Sequence, residues 1–416
     1  MFHHLSWSIR QAVLLSGMVV AFGIDAAASE FHAVEIARNI RQSHMPYGTV
    51  LDPVFASSDP ASPDYSQIVS YAKAGDSAIW TGHFLAAEAF RYRVTGSQEA
   101  LDGVWHALYG IHSLLDVTGN DLLARCLIPV DSPYAGDILN EEGRHGIYYS
   151  EYGYYWIGNT SRDQYSGVMF GLSTAYEMVN NQGVRELIRN DVRRIMNYLL
   201  RRGWNVVMPD GSISTSFAHR PDQILSFLQM ARRIDPQTFG STYSWYRFVY
   251  ASSVGLPIAY DNVDDHNHYF KFNLNYINLY NLVRLEEDSS FFKRSYMDAY
   301  NSLRSTTQSH GNPHFNMIDR ALKGPNSARD AETASLLQLW LERPRRDYWS
   351  DLRGIFPSCG DDRACYPIPV NYRVNTDFLW QRSPFLLYGG SWGTIETSGI
   401  DYILPYWMAR SFGLPL

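Results

Sequence analysis

The chain has 416 residues, 35 Lys and Arg against 42 Asp and Glu, a formal net charge of −7 and only 19% charged residues. It has no Lys/Arg block, which excludes the electrostatic footprint of a nucleic-acid binder. Aromatic residues reach 14%, with 29 Tyr and 11 Trp, a composition that suits either stacking on sugar rings or a large helical core.

The N-terminus, MFHHLSWSIRQ, carries one fixed charge at Arg10, then an apolar run from Ala12 to Ile24, then Ala26-Ala27-Ala28-Ser29. This charged, apolar, small-residue order is that of a secretory signal peptide. The run is shorter than the ~20 residues that cross a bilayer. The reading is therefore a signal over 1–28, one mature domain over 29–416, a periplasmic or secreted location, and no stable membrane span after cleavage.

A short amphipathic helix is expected over Glu30–Gln42, followed by a Pro/Ser/Asp-rich loop over Ser43–Ser66. The stretch AGDSAIWTGHFLAAEAFRYRVTG, Ala74 to Gly96, reads as a long amphipathic helix. Asp76 or Ser77 supplies its N-cap, and Gly96 stands where a left-handed residue would end it. His83 falls on its apolar face. A second helix over Gln98–Val117 makes an αα-hairpin with it.

Asp121 to Thr160 is rich in Gly, Pro and aromatic residues and is expected to be a loop lining a cleft, walled by Tyr152, Tyr155 and Trp156. Ser161-Arg162-Asp163-Gln164 then fits a capping box, S-x-x-Q, opening a helix whose Gly167 and Gly171 permit close approach of another helix or a ligand. Further helices are readable near Val184–Arg202, His219–Arg233, Gly240–Val254, His268–Glu286, Ser289–Thr306, Ser327–Leu341 and Tyr402–Phe412. Alternating strand-like segments do not compete with them. The repeated hairpins predict an all-α fold, an (α/α)6-type toroid with long loops at one mouth.

Cys359 and Cys365 flank a short polar loop, and in an exported chain they are expected to form a disulfide. Cys126 is then a buried thiol. The sequence shows no zinc spacing, and no cofactor is expected.

The segment Asp76–Gly119 and the segment SRDQYSGVMFGLSTAYEMV at Ser161–Val179 resemble the six-hairpin (α/α)6 glycosidase and polysaccharide-lyase superfamily. The resemblance implies the toroid fold and an exported enzyme that holds a polysaccharide or oligosaccharide in a groove at one mouth.

Glycoside hydrolysis needs one carboxyl group that donates a proton and another that acts as base or nucleophile. Asp163, in the first turn of its helix beside Arg162, suits the second role, because a helix N-terminus favours negative charge. Asp76 is its match at another helix start. Glu151, within YYSEYGYYW, suits the general acid, since a carboxyl among aromatic rings tends to hold its proton. His83, Arg162, Gln164, Tyr152, Tyr155, Trp156, His266, His268 and Arg382 are the candidate substrate contacts. Arg382 is placed as a clamp for a uronate carboxylate, in a C-terminal stretch that also holds Asp377 and Glu396. The polar cluster Asp261–His268, DNVDDHNH, could serve a metal or a base but matches no metal spacing. The leading expectation is a glycoside hydrolase. The rivals are a lyase that cleaves uronate-containing glycans by β-elimination and a non-catalytic glycan-binding protein.

Overall fold

The computed structural model describes residues 30–263, 268–288, 290–360 and 362–416. The signal segment 1–28 lies outside the described residues, as do Asp264, Asp265 and His266 of the polar cluster.

The helix Ser77–Thr95 is the centre of the molecule. It is buried on every side from Ser77 to Arg91, rather than along one stripe. A helix enclosed all round must be apolar or small all round, and Ala78, Gly82, Ala86, Ala87 and Ala89 supply that. Gly96 ends it in the left-handed region at φ 61°, its N–H bonded to the Tyr92 carbonyl. The helix Arg162–Met178 crosses it at very short range. A Cβ built on Gly82 would stand 2.1 Å from the Gly167 carbonyl oxygen, and one on Gly171 would stand 2.3 Å from the Gly82 oxygen. The approach anticipated at Gly167 and Gly171 is thus to another helix.

The helices Gln98–Asp116 and Ile400–Ser411 pack on other sides of Ser77–Thr95. From Arg162–Met178 the contacts continue through Pro221–Ile234, Phe270–Arg284 and Pro313–Lys323 to Ile400–Ser411. One apolar core joins these helices. The helix Pro313–Lys323 is absent from the sequence reading. Its proline sits in the first turn, where no N–H bond is lost, and Asn312 caps it by accepting from Phe315 N at 3.1 Å.

The all-α expectation is wrong. The described residues are 58% helical overall but also hold nine strands in three sheets, so the fold is mixed helix and sheet and the toroid is not shown. One of these sheets, and the strand Asp52–Phe55 of another, stand where loops are expected. Cys126–Pro129, Tyr154–Ile157 and Ile147–Ser150 form a three-stranded antiparallel sheet within the aromatic stretch. A four-stranded sheet runs in the order Ile68–Ala72, Asp52–Phe55, Tyr388–Glu396, Arg346–Asp351. It joins the two ends of the chain, Val54 pairing with Ile395. Gly390, at φ 104°, lets its strand lie against Arg346–Asp351: a Cβ there would meet the Tyr348 carbonyl oxygen at 2.3 Å. Cys359 and Cys365 are joined in a disulfide beside this sheet, and Cys126 is a buried free thiol. Among the described residues no helix is long and apolar enough to cross a membrane.

Candidate active site

A cleft of about 710 Å3 opens between helix N-termini and the four-stranded sheet. Asp76 and Asp163 enter it from the starts of the Ser77 and Arg162 helices, and Asp377 enters from the loop before Phe378. The sheet side contributes Asp52, Asp347 and Lys73. Tyr269 and Phe270, at another helix start, add ring surface.

Asp76 does not cap its helix with its side chain. Its Oδ1 instead accepts from Gln164 Nε2 at 2.9 Å and lies 3.7 Å from Arg125 Nη1, with 37% of the side chain exposed. Desolvation of its enclosed part, then the charges of Asp377 and Asp163, push its pKa up to about 7 against the pull of Arg125 and Gln164. Asp163 Oδ1 accepts from Ser161 Oγ. Asp52 is only 4% exposed, and burial pushes its pKa up to about 6.

The capping box does not form. Ser161 Oγ is turned to Arg125 and Asp163, so it makes no cap bond. Gln164 is buried and serves the neighbouring helix: its Oε1 accepts from Ile79 N at 2.9 Å while its amide holds Asp76. Because the two helices touch at Gly82 and Gly167, a side chain on one can reach the free N–H groups of the other.

The other candidates separate. Glu151 is exposed on a turn between strands and lies outside the cleft, so the structure does not support it as the acid. Tyr152, 76% exposed, lines a different cavity with Tyr154 and Arg194. Trp156 is buried and stacks on Tyr148, and Tyr155 packs edge-on to Tyr149. These aromatic residues fill strand faces, because a period-two pattern puts alternate rings on opposite sides.

His83 is fully buried, not substrate-facing. Its Nδ1 donates to the Ile79 carbonyl at 2.8 Å and its Nε2 accepts from Asn273 at 3.3 Å, while burial lowers its pKa to about 4. Arg162 does not line the cleft and donates to the Ser216 carbonyl. Asp261 is buried in a network with Arg220 and Asn275, and among the described residues no group of three or more His, Cys, Asp or Glu is placed to hold a metal ion. His268 is exposed beside Tyr269 and Phe270 without lining the cleft, and His266 lies outside the described residues. Arg382 does line the cleft, at its exposed rim.

Of the three carboxylates expected from the sequence, the structure therefore brings Asp76 and Asp163 together and leaves Glu151 out. Asp377, Asp52 and Arg125 were missed as site residues. Asp377 lies in an irregular loop with no periodic signal, and Arg125 follows an apolar stretch that gives no hint of its partners. Comparison of the chain with protein-family models, with curated proteins and with solved structures found no match.

The exclusion of Glu151 is testable. Glu151→Gln should leave turnover within about twofold of the unaltered protein, since exposed substitutions away from a site change little. A loss above about 10²-fold, the scale of a removed general acid, would return Glu151 to the machinery.

Proposed function

We propose that the protein is an exported glycoside hydrolase acting on a polysaccharide or oligosaccharide, with Asp76 as general acid. The observation that carries this reading is the convergence of Asp76, Asp163 and Asp377 in one cleft, with Asp76 held up to about 7 by burial and by its two acidic neighbours. A carboxyl group still protonated near neutrality can give its proton to the glycosidic oxygen as the C–O bond breaks. Asp163 or Asp377, on the same cleft, would activate water or attack the anomeric carbon. Asn375, Thr376, Gln381 and Ser391 line the cleft with the amides and hydroxyls that suit a hydroxyl-rich ligand. The N-terminal pattern ending at Ala28 supports export.

The lining holds six aspartates against Lys73 and Arg382. Such a surface repels a polyanion and favours a neutral or cationic chain. Hydrolysis of a neutral or amino-sugar glycan is thus favoured over elimination from a uronate-rich one. The test is a panel of neutral, cationic and uronate polysaccharides, read by reducing ends and by ultraviolet absorbance. New reducing ends from a neutral or cationic chain, without absorbing unsaturated products, are expected. Unsaturated products from a uronate chain would establish the lyase instead, and binding without turnover would end the enzymatic reading.

A further inference from the structure

The two carboxylates on the helix starts share one cation. Arg125 is buried, 7% exposed, just ahead of the strand Cys126–Pro129. Its Nη1 donates to the Gly75 carbonyl at 2.6 Å and stands 3.7 Å from Asp76 Oδ1. Its Nη2 donates to Ser161 Oγ at 2.7 Å, and that hydroxyl in turn donates to Asp163 Oδ1. Its Nε donates to the Asn159 carbonyl at 3.0 Å. All three nitrogens are engaged, and the fork spans the start of the Ser77 helix and the start of the Arg162 helix.

We propose that Arg125 is the positioning residue of the carboxylate pair: one guanidinium fixes both helix starts and supplies the positive charge beside Asp76. This rests on the reading of Asp76 and Asp163 as the catalytic pair. The geometry separates two duties. The planar fork sets the spacing, which a single ammonium cannot reproduce. The charge opposes the acidic groups around Asp76. Those groups are Asp163 on the neighbouring helix, Asp377 on its loop, and Asp52 and Asp347 across the cleft on the sheet side, while Lys73 and Arg382 are cations on the same lining. Behind Asp76, Gly75 N bonds to Glu142, which pairs with His145.

Arg125→Met removes both duties; Arg125→Lys keeps the charge and loses the fork. Asp76 titration is followed in the full chain by carbon-13 NMR of labelled aspartate carboxyls, its signal assigned by its loss in Asp76→Asn. Arg125→Met should raise the Asp76 midpoint by about one pH unit, the usual effect of losing an opposite charge at this range. The alkaline limb of kcat/KM, which reports the free enzyme, should move up with it. Arg125→Lys should leave the midpoint close to that of the unaltered protein, yet lower kcat by about tenfold or more through misplacement. An unshifted midpoint in Arg125→Met overturns the proposal, as does full turnover in Arg125→Lys. Should the Met variant fail to fold, the Lys variant still decides the positioning duty. A shifted titration with no turnover on any glycan counts against the hydrolase reading alone, since the titration needs no substrate.

Discussion

Asp76→Asn is expected to lower turnover by at least about 10²-fold, the low end for a removed general acid, while leaving the fold intact. The amide oxygen of the new side chain can still accept from Gln164 Nε2, which holds the native carboxylate at 2.9 Å. What is lost is the transferable proton. The same assignment fixes a pH dependence. The acid must be protonated to act, so activity should be present below its pKa and fall as pH rises through about 7. In Asp76→Asn that alkaline limb should vanish from the residual rate. Parallel profiles of kcat/KM for the two proteins give the answer. A limb near neutrality that persists unchanged in Asp76→Asn would place the proton donor elsewhere.

Gly82→Ala is expected to destabilise the protein by about 2 kcal/mol or more. In an open helix the same change is stabilising by about 0.5–1 kcal/mol, because alanine has less backbone entropy to lose. Here the new Cβ would lie 2.1 Å from the Gly167 oxygen and 2.4 Å from its carbonyl carbon. Both are backbone atoms and cannot swing aside, so the helices must part by roughly 1 Å to reach van der Waals distance. Overpacking of this kind costs about 1–3 kcal/mol and sometimes more, which outweighs the propensity gain. Parting the helices also moves the starts that carry Asp76 and Asp163, and a 1 Å misplacement can cost about 10²-fold in rate. Urea unfolding and turnover should therefore both suffer. Gly240→Ala, in the helix Pro236–Tyr250 with no atom within 4 Å of its Cβ, is the control and should gain stability slightly. A Gly82→Ala protein as stable as the original would refute the close approach.

How much was legible in the chain depends on how local each signal is. Helix extents follow from residues three and four apart, so Ser77–Thr95 and its Gly96 stop could be read directly. The strands could not. Cys126–Pro129 and Tyr154–Ile157 are four residues each, and so short a run carries no distinguishable period. Their stability comes from partners that no local window contains. The sheet that faces the cleft pairs Asp52–Phe55 with Tyr388–Glu396, segments from opposite ends of the chain. Ser161-Arg162-Asp163-Gln164 was misread for the same reason. It satisfies the capping pattern, but a buried Gln164 finds a stronger use on the next helix, and Arg125 claims the Ser161 hydroxyl.

The sequence by itself determined the long helices such as Ser77–Thr95 and Arg162–Met178, the Gly96 stop, and the placing of Asp76 and Asp163 at helix starts, because caps and periodicity act over one or two turns. Only the tertiary structure decided that those two starts face one cleft, that Asp377 joins them while Glu151 stays on an exposed turn, and that His83 is a core residue. Burial and charge proximity set whether a carboxyl keeps its proton, and both depend on neighbours brought in from distant parts of the chain.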